Sequence, residues 1–235
     1  MPAPARPFVT GRWSDLLLLT YEAPEDLLRP YLHPALELDR WEGRTHVNLV
    51  ALHFGAIRVR GRRFPGLGAF AQLNLRTFVR HGGEPGVVFI RQFVPSPLVV
   101  AVSRFRYRQP YAALPLSYQA AAGDGRITAE YFFDRPPRGC LIATGSEGAT
   151  VPPSGSFPHY CKERFWGFAR GRGGRLLRFR VEHPAWAVRQ VLHWQLQLDF
   201  RAFFGPEWRF LNGAQPAGVV FAVGSEVAVY APSDV

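Results

Sequence analysis

Lysine is nearly missing from this chain. Lys162 is the only one among 28 lysines and arginines in 235 residues, so the formal charge of +10 is carried by arginine. The arginines are spread along the sequence, with no basic run beyond Arg58 to Arg63 and no recognisable base-reading motif. Phosphate neutralisation needs clustered cations, so a nucleic-acid partner is not expected, and the bias towards arginine is read as a compositional habit of the source. Cysteine is also scarce. Cys140 and Cys161 form neither a CxxC pair nor a disulfide framework, which points to an intracellular chain with ordinary buried thiols. No charged leader runs into an apolar segment, and the run Leu16 to Leu19 is far too short to span a bilayer. A soluble cytoplasmic protein with no membrane partner is therefore expected. Histidine spacings such as HxH and HExxH are absent, so His46, His53 and His183 are read as structural and no metal is expected. Ser146 and Ser154 do not fit G-x-S-x-G, and Gly171, Gly173 and Gly174 follow a helix instead of preceding one. No cofactor site is expected.

What is present is enough apolar material for a substantial core, at 47% hydrophobic residues. Residues 1–12, rich in proline and small residues, read as a loosely held tail. Residues 13–235 read as a single domain. Leu16 to Leu19 suggests a buried strand, and Pro24-Glu25-Asp26 opens a short helix with acids where the helix dipole favours them. A hairpin is expected from Ala35 to Trp41 and from Thr45 to about Arg60, turning at Glu42-Gly43. On its second strand His46 and Asn48 share a face with Val50 and Leu52.

The stretch from Leu73 to Tyr111 organises the rest. Leu73, Leu75, Thr77 and Val79 alternate with Asn74, Arg76, Phe78 and Arg80, giving one apolar and one mostly polar strand face. The glycines and proline of 81–86 are turn chemistry, and Val87 to Val94 is apolar on both faces, as in a strand covered on both sides. Ser96-Pro97 is an N-cap followed by proline at the first helical position. Leu98, Ala101, Val102 and Phe105 follow at helical spacing, and Pro110 ends the helix. Strands are expected near 116–122, 126–133 and 140–144, then a loop over 145–156. A helix is expected from Phe157 to Phe168, then strands near 176–181 and 186–198, a short helix near 199–204, and strands near 217–223 and 226–230. Many strands joined by short turns close into a barrel or a sandwich.

The segments LHPALELDRWEGRTHVNLV, LRTFV, GVVFI, AVSRFRYRQPY, KERFWGF, VEHPAW and FAVGSEVAV, in that order, resemble the uncharacterised YqjF-like family over nearly the whole chain. That family is similar in turn to acetoacetate decarboxylase. The resemblance implies a mainly β (α+β) fold, an antiparallel β-barrel with a few short helices around an interior pocket, and it is compatible with a homo-oligomer. The decarboxylase works through a Schiff-base lysine whose amine is activated by a second lysine, the pair following a proline after a helix. Matched to AVSRFRYRQP, those positions are Tyr111 and Ala112, and neither side chain forms an imine. By the same matching Asn48 and Arg76 stand near two pocket glutamates of the decarboxylase. An amide and a guanidinium there would favour an anionic or strongly hydrogen-bonding ligand. Lys162, beside Cys161 in the helical pattern, is read as a solvated lysine.

Four residues are the candidate ligand contacts: Asn48, Arg76, Arg104 and Tyr111. Arg76 and Arg104 would hold negative charge, and Asn48 and Tyr111 would fix a polar end. A strand face such as that of Arg76 points either to water or to a cavity, and alternation alone is the same for both. Two functions follow from the two cases. One is a small-molecule pocket, with or without catalysis, for an anionic or keto compound. The other is a filled barrel with a structural or partner-binding role.

Overall fold

The computed structural model describes residues 6–235, so residues 1–5 of the expected tail lie outside it. Strand β1 (Val9–Glu22) starts the fold and carries Leu16 to Leu19, all buried, with Leu16 and Leu18 on one face and Leu17 and Leu19 on the other. The tail is therefore shorter than expected, because residues 9–12 are already in register with residues 226–229. Helix α1 (Glu25–Leu28) follows Pro24 and runs on as one 3-10 turn. The expected hairpin does not form. Its first arm is reduced to β2 (Glu37–Leu38), which pairs with β4 (Phe70–His81) and not with β3 (His46–Val59). The turn at Glu42-Gly43, both at positive φ, is closed only by the Trp41–Arg44 bridge.

β4 turns through Gly82-Gly83 into β5 (Glu84–Val94), and Ser96 caps α2 (Pro97–Tyr107) through the backbone N–H of Val99. The apolar positions of α2 do not face the core. Leu98, Val102 and Phe105 are exposed, at 67%, 44% and 74%, while Val100 and Tyr107 are the buried pair. After α2 come β6 (Tyr111–Ala113), β7 (Leu116–Gly123), β8 (Arg126–Phe133) and β9 (Gly139–Thr150). β9 continues six residues past Thr144 into the stretch expected to be loop.

Helix α3 (Phe157–Lys162) is half as long as expected, and Trp166 lies in strand β10 (Trp166–Arg170). The aromatic spacing Phe157, Cys161, Phe165, Phe168 looks helical but is split between two elements. Gly167 explains the switch: it pairs with Phe179 of β11 (Leu176–Glu182), and the Phe179 ring lies where any Cβ on Gly167 would be. The chain finishes with β12 (Val188–Gln197), α4 (Phe200–Phe204), β13 (Gly218–Val229) and β14 (Ser233–Asp234). β13 is one strand where two were expected, and it passes through a positive-φ Gly224 whose Cα faces the Trp13 carbonyl.

The pairing order is β11-β10-β5-β4-β3-β1-β13, and a further pairing of β13 with β11 through Val181 and Val229 returns the path to its start. All of these pairs are antiparallel except β10 with β5. From β13 a second run, β12-β9-β8-β7, extends the same sheet. Two cores result. Leu16, Leu18, Val50, Leu52, Phe78 and Val220 belong to the inner one. Leu17, Leu49, Leu73 and Leu75 on the outer face pack with Tyr131 and Leu141 of the second run and with Phe203 of α4. The strands of the closed path are thus covered on both sides, which is why a strand such as β5 reads as continuously apolar.

Gly167→Ala should test this packing directly. A methyl group at 2.1 Å from the Phe179 ring must displace it, and overpacking of this kind costs about 1–3 kcal/mol, read as a lower midpoint of urea unfolding.

Candidate ligand-binding cavity

β4 is wedged between the two cores. Its apolar face, Leu73, Leu75 and Val79, fills the outer core, so strand alternation turns Gln72, Asn74 and Arg76 inward. There they line a cavity of about 480 Å³ together with Trp13, Val50, Leu52, Phe89 and Trp186. Phe64, Leu98 and Val102 line it too and are exposed, so the cavity reaches the surface between the 61–68 loop and α2.

Its walls are mostly hydrocarbon, and its polar groups are few and arranged. Gln72 Nε2 donates to Gln92 Oε1 at 2.9 Å, Gln92 Nε2 to Gln109 Oε1 at 3.3 Å, and Gln109 Nε2 to the Phe168 carbonyl at 3.3 Å. Tyr111 lies in the same lining as Gln72 and Ser103, and burial pushes its pKa up to about 12, so it is a neutral hydroxyl. Other polar atoms of the lining are left over. Asn74 Oδ1, Arg76 Nε, Tyr107 Oη and Trp13 Nε1 are buried without a hydrogen-bond partner among the described residues. Buried polar atoms rarely stay unpaired in a folded chain.

Arg76 is the most unusual of them. Its Nη2 donates to the Cys161 carbonyl at 3.2 Å, and no carboxylate pairs with it among the described residues. Burial, reinforced by the nearby Arg164 guanidinium, lowers its pKa to about 10. It remains a cation at neutral pH.

Behind Arg76, whose guanidinium meets the Cys161 carbonyl, residues 160–164 form a charged layer outside the cavity lining. Arg164 Nη1 and Asp39 form a buried ion pair at 2.5 Å, Arg80 reaches the other oxygen of Asp39 at 2.7 Å, and the Arg164 guanidinium lies over the Tyr160 and Phe78 rings. Lys162 is not solvated, contrary to the sequence reading. Its side chain is fully buried and ion-paired with Glu163, which also accepts from the Trp186 N–H. His183 stacks on Trp186 with ring centroids 4.0 Å apart, and burial lowers its pKa.

The four candidate contacts are distributed unequally. Arg76 and Tyr111 line the cavity. Asn48 is opposite Arg76 in the β3–β4 register and fully buried, but its Nδ2 donates to Thr20 Oγ1 at 2.6 Å and it does not reach the cavity. Arg104 is on the outside of α2, where its Nε donates to the Tyr111 carbonyl at 2.6 Å. Gln72, Asn74, Gln92, Gln109 and Tyr107 were not anticipated as lining residues. For Gln72 and Asn74 the signal was present, since they precede Arg76 at two-residue steps on one strand face. Among the described residues there is no metal-binding cluster of His, Cys, Asp and Glu, and no helix is long and apolar enough to cross a membrane.

This fold is that of the acetoacetate decarboxylase-like proteins. The chain is similar to acetoacetate decarboxylase from Legionella pneumophila subsp. pneumophila str. Philadelphia 1, at 17% identity and a TM-score of 0.64 over 100% of this chain and 92% of that one. It is similar also to the enduracididine biosynthesis enzyme MppR complexed with pyruvate, at 12% identity and a TM-score of 0.64 over 99% and 92%. An acetoacetate decarboxylase-like enzyme from Sphingomonas wittichii RW1 matches at 11% identity and a TM-score of 0.62 over 96% and 93%. In sequence, the chain belongs to the DUF2071 family of uncharacterized conserved proteins, matched over residues 10–226. The uncharacterized protein YqjF of Bacillus subtilis (strain 168) is 31% identical over 100 residues, which is 42% of this chain and spans 41% of that relative.

The Asp39–Arg164 pair makes a stability prediction. Asp39→Ala leaves Arg164 buried without its counter-ion, and breaking a buried pair in this way costs about 3–5 kcal/mol in denaturant unfolding.

Proposed function

We propose that this protein binds a small molecule with an anionic or keto head and an apolar body inside the cavity, without Schiff-base chemistry. The observation that carries the reading is Arg76, a cation facing the cavity with no carboxylate partner and an unpaired Nε. A carboxylate or comparable anion would supply both the missing charge and a hydrogen-bond acceptor. Asn74 and Tyr111 stand on the same polar side, while Trp13, Leu52, Phe54 and Phe89 offer hydrocarbon to the remainder of the ligand. A volume of about 480 Å³ falls within the roughly 300–1,000 Å³ of small-molecule sites. The similarity to a pyruvate complex supports the head-group chemistry as an analogy of fold. Lys162, the only lysine, is committed to Glu163 and is absent from the lining, and Tyr111 occupies the place where the resemblance puts an amine. A filled barrel with Arg76 in solvent is the competing reading, and the open volume beside Arg76 speaks against it.

Thermal midpoints measured against 2-oxo acids, fatty acids, phosphates and neutral ketones of increasing chain length should rise most for anionic members with longer chains. A ligand at a hundred times its dissociation constant stabilises by about 2.7 kcal/mol, a readable shift. Arg76→Ala should abolish the response to anions, and Leu52→Trp, which fills the apolar side, should shorten the longest chain accepted. Borohydride treatment with a 2-oxo acid should leave the mass of the protein unchanged. A response to anions that survives in Arg76→Ala, or a reduced adduct on Lys162, would overturn the reading.

A further inference from the structure

The two segments that frame the mouth of the cavity share a composition that neither the core nor the cavity explains. Residues 58–68 contain four arginines, residues 97–108 contain three, and neither segment holds an aspartate or glutamate. All seven arginines are exposed, and none is in an ion pair among the described residues. The segments lie side by side, because the guanidinium groups of Arg60 and Arg106 both sit over the Phe8 ring, at 5.6 and 5.0 Å from its centroid. Between the arginines, Phe64, Leu98, Val102 and Phe105 project outward at 44–74% exposure, although three of the four also touch the cavity.

An apolar patch of this kind is costly in water and marks a contact surface. We propose that this rim docks on an anionic lipid bilayer, with α2 lying along the headgroup boundary and the cavity mouth facing the membrane. Helices of this kind insert an apolar face to the level of the acyl chains while their arginines stay among the anionic headgroups. The stripe Leu98, Val102, Phe105 and the neighbouring Arg104, Arg106 and Arg108 supply those two components from one helix. A second copy of this chain fits less well, since a two-fold contact would set arginine-rich surfaces against each other with no acid on either side. A nucleic acid would match the arginines but not Leu98 and Val102, which have no stacking face. The arrangement lets an amphiphile pass between bilayer and cavity with its hydrocarbon shielded from water. Docking itself does not depend on what Arg76 holds.

The test is co-sedimentation of the full chain with vesicles of phosphatidylcholine alone or mixed with phosphatidylglycerol. At about 0.1 M salt the partition onto the mixed vesicles should exceed that onto neutral ones by roughly tenfold or more, and at about 1 M salt, where the Debye length falls from about 10 to about 3 Å, most of the excess should vanish. The exposed double variant Leu98→Ser/Phe105→Ser should weaken binding while remaining folded by circular dichroism, and Arg62→Ser/Arg63→Ser/Arg106→Ser should remove its salt dependence. Arg76→Ala should bind vesicles as wild type does, which separates docking from the ligand reading. Equal binding to both vesicle types, or none, overturns the proposal. So does displacement from vesicles by a short single-stranded oligonucleotide that binds more tightly, or a wild-type dimer that becomes monomeric in Leu98→Ser/Phe105→Ser.

Discussion

A strand buried on both sides has no wet face on which to put its polar residues, and β4 is in that position. Its leucines are claimed by the outer core, so Gln72, Asn74 and Arg76 have only the interior to point into. Strand geometry allows no other distribution, because a shift of one residue would bring the polar set into the outer core and the leucines into the cavity. The interior must then provide for two amides and a guanidinium. It satisfies Gln72 through a row with Gln92 and Gln109 that ends on a backbone carbonyl, leaves the Asn74 Oδ1 unpaired, and gives the guanidinium one carbonyl and no acid among the described residues.

The charged layer behind Arg76 contrasts with the cavity. There, each buried cation has a carboxylate: Arg164 shares Asp39 with the half-exposed Arg80, and Lys162 has Glu163. Matched ions hold α3 against the inner core, and they are spent in doing so. The unmatched cation is the one that faces open volume. Within a single interior the chain thus separates charges that fix structure from a charge that is free to meet something else, and the lysine belongs to the first group.

The sequence disclosed these features unevenly, for physical reasons. The β4–β5 hairpin and the Ser96-Pro97 start of α2 were legible because turn and capping chemistry is local. Alternation put Arg76 on the polar face of its strand without saying whether that face meets water or a cavity, and Tyr111 was singled out by the family pattern alone. Asn48 stands opposite Arg76, but its short side chain is committed to Thr20 on β1, a partner that the spacing of its own strand does not reveal. Arg104 is one helical position away from the inward side. Lys162 and the truncated α3 were illegible because both depend on non-local partners. Gly167 yields to Phe179 of another strand, and a charge gives no sign of whether its counter-ion will be buried with it. The outward turn of the α2 stripe was hidden by the ordinary assumption that helical apolar residues face a core.

The antiparallel register of β1 with β13, which runs from Val9 opposite Val229 to Thr20 opposite Gly218, has a consequence for synthesis. The first strand of the closed path waits for one of the last, and contacts of such long sequence separation form slowly. Until residues 218–229 have left the ribosome, the edge of β1 that pairs with β13 in the folded chain has no partner. Unpaired edges are where nascent chains associate wrongly. The enclosure of Arg76 by the closed strand path is therefore a late event in the life of the chain, completed by β13.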